Sequence, residues 1–279
     1  MALAISTNNA ALNAAAAASS VNRDMETSMA RLSSGKRINS ASDDAAGVAI
    51  SSRLSAEIRG TDQAIRNSLD GQALIDTAEG AHKEIENILQ RMREIAVQAS
   101  NDTNNTQDRA NLQAEMDAMS TEIDRIAGTT TWAGTQLMDA SAGTTFSFQV
   151  GSATGAKNQI AITINSMNAA TLDVEPADVD IETDGASRYA AIDDIDAAIK
   201  SVNNQRSELG AVSNRLNHTV NNLTNISSNL SAAKGGIEDA DFALETTSLA
   251  KNQILQQAST AMLAQANASK QNVLSLLQG

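Results

Sequence analysis

Few side chains in this sequence could do chemistry: two histidines, no cysteine, and carboxylates spread along the chain. His82 and His218 each fall within helical periodicity, and neither belongs to an HExxH pair that could hold zinc. Without cysteine there is no thiolate ligand, no disulfide and no thiol nucleophile. Asp180, Glu182, Asp184 and Gly185 have the spacing that opens a calcium loop. Ala191, however, stands where such a loop needs a bidentate Glu, so a solvated acidic loop is expected there. No G-x-S-x-G elbow, P-loop or GxGxxG cradle occurs. The other carboxylates fall on helix faces, often at spacings that pair them with arginine. N-x-S/T triplets such as Asn222-Leu223-Thr224 lie inside a helical seam and read as coincidence. This pattern argues for no enzyme and calls for no cofactor and no metal.

The elements that would have to position a site are informative in themselves. Aromatics make up 2% of the 279 residues and apolar residues 42%, so the apolar content is mainly Ala, Leu, Ile and Val, which suits closely packed helices. The single proline, Pro176, permits very long uninterrupted helices. The net charge of −13 would be repelled by phosphates, which argues against a nucleic-acid partner. No run of about 18 apolar residues is present, so no membrane insertion is expected. The first charged residue is Arg23, so the N-terminus lacks the basic start of a secretory signal.

Residues 31–54 organise the rest. Their first half is rich in Ser, Gly and Asn and reads as irregular chain. The second half reads as a helix start, with Ser42 as N-cap, Asp43 and Asp44 in the first turn, and Ile50, Leu54 and Ile58 at helical spacing. The helical pattern then runs to about Ala99 through Ile85, Ile88, Met92 and Ile95, with Gly60, Gly71 and Gly80 as soft points. A turn at residues 101–106 leads into a second helix, from about Gln107 to Ala127, with Leu112, Met116, Met119, Ile123 and Ile126 on one face. Phe146, Phe148 and Val150, then Ile160, Ile162 and Ile164, alternate around a glycine-bounded turn and predict a β-hairpin beside Trp132. Residues 167–185 read as acidic and irregular. From Ile192 to Leu230 a near-heptad seam predicts a coiled-coil helix, with Arg206 in one inward slot. Gly235-Gly236 is expected to break it, mirroring the joint near residues 33–42.

The two ends differ from the middle. Residues 1–22 carry no charged side chain, and residues 252–279 carry only Lys270. Chain ends are usually the most polar part of a protein. Each end here nonetheless has an apolar stripe: Ala14, Ala18, Val21, Met25 and Leu32 at the front, and Leu255, Ala258, Met262, Ala266, Val273 and Leu276 at the back. Such helices are marginal alone but can pair, and their uncharged outer faces suit burial against further copies. The layout is palindromic, so the halves must meet antiparallel. The expected fold is mainly α: a long antiparallel helical coiled coil or bundle formed by the N- and C-terminal halves, with a small β-hairpin region. Residues 1–44 and 236–279 form the tail coiled coil, 45–128 and 186–235 the helical rod, and 129–185 a hairpin and acidic loop that complete the rod.

These residues also carry a resemblance. The block LSSGKRINSASDDAAGVAI at residues 32–50 is similar to the LSSG-x-RINSA-x-DDAAG-x-AI block of bacterial flagellins. So are QRMREIAVQ at 90–98, GTTTWAGTQLMD at 128–139 and the whole stretch 237–279, which begins IEDADFALETTSLAKNQ. The likeness covers roughly residues 1–165 and 186–279, and the chain resembles a short form without large outer variable domains. The resemblance implies a subunit that self-polymerises into the helical flagellar filament used for motility, with tails inside and rods outside. It also implies type III export without a cleaved signal, and as partners an export chaperone on the C-terminal helix and filament cap and junction proteins. It further implies recognition by a host Toll-like receptor through Arg91 and Glu115, with Ile95 where the family's receptor surface has a neighbouring Leu. The residues alone leave two other readings: a hook–filament junction protein, or a monomeric secreted coiled-coil binding module.

Overall fold

The computed structural model describes residues 7–139 and 143–278, with side chains described as far as residue 269. Five helices dominate: α1 (Asn9–Ser34), α2 (Ala45–Ala99), α3 (Thr106–Thr129), α4 (Gly185–Glu238) and α5 (Phe242–Gln278). Four short strands lie between α3 and α4: β1 (Thr131–Trp132), β2 (Thr135–Gln136), β3 (Thr144–Gln149) and β4 (Gln159–Ile164). β1 pairs antiparallel with β2, and β3 pairs antiparallel with β4 in the register Phe146 opposite Ile162 and Phe148 opposite Ile160. Mainly helical architecture with a small hairpin is therefore what the chain adopts. Its contacts divide it into two compact units, residues 1–56 with 229–279 and residues 57–228.

In the 57–228 unit, α2 and α4 run antiparallel. Ser227 reaches Asp62 at 2.8 Å, Arg206 reaches Glu79 at 2.7 Å, and Arg93 reaches Asp196, so rising numbers on α2 meet falling numbers on α4. The inward row of α2 is Leu74, Ala78, His82, Ile85, Leu89, Met92, Ile95 and Ala99, and that of α3 is Met116, Ile123 and Ala127. The purely apolar face of β4, Ile160, Ile162 and Ile164, closes the same core. Gly60, Gly71 and Gly80 do not interrupt α2, although each loses roughly 1 kcal/mol to alanine there.

Four sequence expectations change here. The N-cap of α2 is Asp44, not Ser42: its carboxylate accepts the Gly47 N–H at 2.9 Å, while Asp43 turns back to accept Ser40 and Asn39 N–H groups. Gly128 does not end α3, which continues to Thr129. The inward slot of α4 belongs to Gln205, not Arg206. Gln205 is buried, accepts from the Asn165 side chain at 2.6 Å and donates to the Thr163 carbonyl at 3.0 Å, needs that a guanidinium without an acceptor could not meet. Residues 167–185 are not merely a solvated loop. Met167, Ala169, Leu172, Val174, Val179 and Ile181 are buried in the core, and Gln113 of α3 accepts the Ile181 N–H at 2.9 Å.

Candidate assembly surface

In the other unit, α1 and α5 lie side by side. Asn8 donates to the Ala266 carbonyl at 3.1 Å, Gln256 donates to Asn22 at 2.7 Å, and Arg31 stands 3.9 Å from Glu245. The pairing is antiparallel, and these polar contacts run along it. Along the seam α1 offers Ala14 and Ser28, both buried, with Ala18, Val21, Met25 and Leu32 half-buried. α5 offers Ser248, Asn252, Gln256, Ser259, Leu263 and Ala266, all half-buried. Small residues let the backbones approach closely, and the amides fix the register.

This seam is not the apolar stripe expected on α5. Leu255 and Met262 face away from the pairing line, at 40% and 67% exposure, and Ala258 is exposed too. Ala266 alone of the expected set joins the seam among the described side chains. Val273 and Leu276 lie on α5, but their side chains are outside the described residues. The most buried positions of the facing stripe on α1 are small, Ala14 and Ser28, and Asn8 and Asn22 beside them bond to α5, which favours small and amide side chains opposite them. The overlooked signal was the amide pattern, Asn8 and Asn22 against Gln256, at positions where a heptad reading expects apolar residues.

The consequence is a tail pair with its large apolar side chains outside. Leu12 and Met29 on α1, and Phe242, Leu244, Ile254, Leu255 and Met262 on α5, stand exposed. Between the helices a shallow groove of about 340 Å³ is lined by Ala10, Ala14, Ala17, Ser259 and Met262. An exposed apolar set of this extent, on helices whose outer ends at residues 7–22 and 252–269 carry no charged side chain, marks a contact region.

The joints next to the tails are fixed by backbone hydrogen bonds. Gly35 ends α1 in the left-handed conformation at φ +69. The Arg37 N–H donates to the Glu238 carbonyl at 2.6 Å, and the Ala240 N–H donates to the Gly35 carbonyl at 3.0 Å. Lys36 pairs with Glu238 at 3.0 Å, and Asp241 caps α5 by accepting the Ala243 and Leu244 N–H groups. The break therefore falls at residues 239–241, and α4 runs straight through Gly235-Gly236, contrary to expectation.

The remaining candidate residues lie in the 57–228 unit. Arg91 and Glu115 are brought together, with Nη2 and Oε1 2.9 Å apart, and Arg91 also reaches Glu94 at 3.0 Å. These carboxylates hold the Arg91 guanidinium above its ordinary pKa, the Glu115 hydrogen bond contributing most. Ile95, by contrast, is fully buried and offers nothing to a surface contact in the folded subunit. Asp180 accepts the Glu182 and Thr183 N–H groups and the Thr183 hydroxyl, and Asp184 caps α4 through the Ser187 N–H at 2.8 Å. Two of the three carboxylates of the calcium-like spacing, Asp180 and Asp184, thus serve the local chain. Among the described residues no three His, Asp or Glu side chains converge on one point.

Residues 5–143 match the family model of the bacterial flagellin N-terminal helical region, and residues 192–277 match that of the bacterial flagellin C-terminal helical region. The chain is similar to a flagellin of Halalkalibacterium halodurans, 48% identical over 253 residues that cover 91% of this chain and 92% of that relative. It is also similar to a flagellin of Bacillus subtilis, 42% identical over 306 aligned positions that cover 98% of this chain and 99% of that one. That alignment is longer than the 279 residues here, so the Bacillus protein carries residues this chain lacks. Among solved structures, the crystal structure of Bacillus cereus flagellin superposes with a TM-score of 0.49 at 32% identity, covering 61% of this chain and 94% of that one.

Proposed function

Because this chain belongs to the bacterial flagellin family and is a structural subunit of the flagellar filament, we propose that residues 1–44 and 236–279 are the part that neighbouring copies bury. The family assembles as a polymer of one chain, and this subunit serves motility within the bacterial flagellum. The observation that carries the reading is the tail pair itself, which hydrogen-bonds through Asn22 and Gln256 and leaves Phe242, Leu244, Ile254, Leu255 and Met262 in water. Burying one such side chain contributes roughly 1.5–3 kcal/mol, and repetition of one head-to-tail contact extends without closing. Val21, Met25 and Leu32, with Val273 and Leu276 at the far end of α5, complete the tail packing in this reading. The rod, residues 45–128 and 186–235 with the segment 129–185, stays outside.

The subunit leaves the cell through type III export without a cleaved signal, an export chaperone holds α5 beforehand, and cap and junction proteins meet the ends of the polymer. Arg91 and Glu115 are the surface a host Toll-like receptor reads, over the buried Ile95. The two are paired with each other, yet both side chains stay about half exposed, at 50% and 42%, so a receptor can reach the pair as it stands.

Ile254→Asp tests the tail reading. It places a charge on the exposed face of α5 without touching the seam. Seeded polymerisation, followed by sedimentation and electron microscopy, is expected to stop, while the helical content of the 57–228 unit is unchanged. Filaments of normal length from this variant would remove the tails from the contact.

A further inference from the structure

Sulfur in this chain is carried by methionine alone, with nine Met and no Cys. Met92, Met116, Met138 and Met167 are sealed in the core of the 57–228 unit. Met25 and Met119 are half-buried. Met29 and Met262 differ from all of these. They are 54% and 67% exposed, one on α1 and one on α5, among the same outward-facing apolar side chains as Leu12, Ile254 and Leu255. Met262 also lines the groove beside Ala10 and Ala14. Oxidation of a thioether follows its exposure, so peroxide reaches these two sulfurs before the four in the core.

We infer that Met29 and Met262 are modification sites at which peroxide oxidation decides whether a free subunit can assemble, an inference that rests on the burial of the tails between copies. The sulfur lone pair attacks the terminal oxygen of a hydroperoxide. The O–O bond breaks, an S–O bond forms, and water or an alcohol leaves with the proton. Sulfur loses two electrons and the peroxide gains them. Two thiols of a reducing enzyme return the sulfoxide to thioether, forming one disulfide and one water.

The consequence follows from what surrounds each sulfur. A sulfoxide oxygen is a strong acceptor, whereas the thioether is weak and soft. Around Met262 stand Asn8, Asn13, Ser259 and Gln265, and Met29 is more than half exposed, so in the free subunit both sulfurs meet a polar, wet surrounding. Packed between copies, the polar S–O group must give up its water, which costs more than burying the thioether it replaces. Subunits already in a polymer have both sulfurs covered. The switch therefore acts on the free subunit and leaves the assembled one alone.

The experiment partly oxidises the free protein with hydrogen peroxide, adds filament seeds, and reads sulfoxide at each Met by peptide mass spectrometry in the incorporated and unincorporated fractions. Sulfoxide at Met29 and Met262 is expected to be depleted about tenfold in the incorporated fraction. Equal sulfoxide in the two fractions overturns the inference. The double variant Met29→Leu, Met262→Leu, close to conserving volume, is expected to keep its own untreated growth rate on seeds at a peroxide dose that stops the parent protein. Loss of growth equal to the parent's at that dose assigns the effect to other residues and also overturns it. Untreated parent protein that fails to grow on seeds sinks the burial reading itself, a result distinct from either.

Discussion

His82 is a buried ring on α2, and one contact assigns its neutral tautomer. Its Nδ1 lies 2.7 Å from the Ala78 carbonyl, which can only accept, so the proton is on Nδ1 and Nε2 is bare with no partner. Burial holds its pKa below the ordinary value of 6.5, the Ala78 carbonyl and Glu79 pull it back up, and Arg206 from α4 pushes it down. Arg206 is itself held by Glu79 and Glu86. The inward rows of α3 and β4 bring no titratable side chain toward this core. With a folded pKa below the unfolded one, the unfolded chain takes up the proton first. The stability His82 contributes is therefore complete above about 6.5 and is lost as pH falls toward its folded pKa. Carboxylates act in a lower window. Glu238, held below its ordinary 4.5 by the Ser51 hydroxyl and Lys36, loses its contribution only as pH falls below that value. The thermal midpoint of the 57–228 unit is thus expected to drop between pH 7 and pH 5, by about 2–4 °C for each kcal/mol lost. His82→Gln should flatten that slope, while His218→Gln, at an exposed position, should leave it intact. A His82→Gln slope equal to the parent's would assign the pH dependence to other groups.

At the scale of elements, the joint between α1 and α2 depends on Gly47. A Cβ there would fall 2.6 Å from both the Asp44 carboxylate and the Ile38 side chain, so the cap of α2 and its apolar plug cannot both keep their places. Gly47→Ala is expected to destabilise the joint by about 1–3 kcal/mol. Amide hydrogen exchange should speed up at Arg37 and Ala240, whose N–H groups tie the two joints together, with no change at core amides such as Leu89. Exchange at Arg37 and Ala240 unaltered by the substitution would mean the joint does not rely on this close approach. The existence of the joint was legible, because Ser, Gly and Asn cluster at residues 33–42 and heptads flank them. Its true cap was not, because Ser42, Asp43 and Asp44 are all good caps and tertiary contacts choose among them. The long helices and the hairpin were legible for a related reason: their periodicity is set by burial on one face. Gln205 escaped because a heptad count cannot see that Asn165 and Thr163 come to meet it. The buried residues at 167–181 escaped because their acidic neighbours dominate the composition. On the tails, the apolar stripe of α5 was readable, but its direction was not. Only the partner helix decides which face pairs, and α1 selects the amide face.

At the scale of the whole molecule, charge is unevenly placed along the chain. The chain carries 33 acidic and 20 basic side chains, yet residues 1–22 have none of either. Ionic repulsion between copies therefore arises mainly outside the tails, while the apolar attraction proposed for them is largely uncharged. Salt acts on the two differently. It screens exposed charges over about 10 Å at 0.1 M and about 30 Å at 0.01 M, and it does not weaken apolar burial. Copies with a net charge of −13 must approach closely to share a tail contact, so growth on seeds should quicken as sodium chloride rises from about 10 to 150 mM. Ile254→Asp should remain inactive throughout, because screening an exposed charge does not restore the lost apolar contact. Turbidity and sedimentation against salt separate the two effects. Slower growth at the higher salt would mean that ion pairs between copies, and not the uncharged tails, drive assembly.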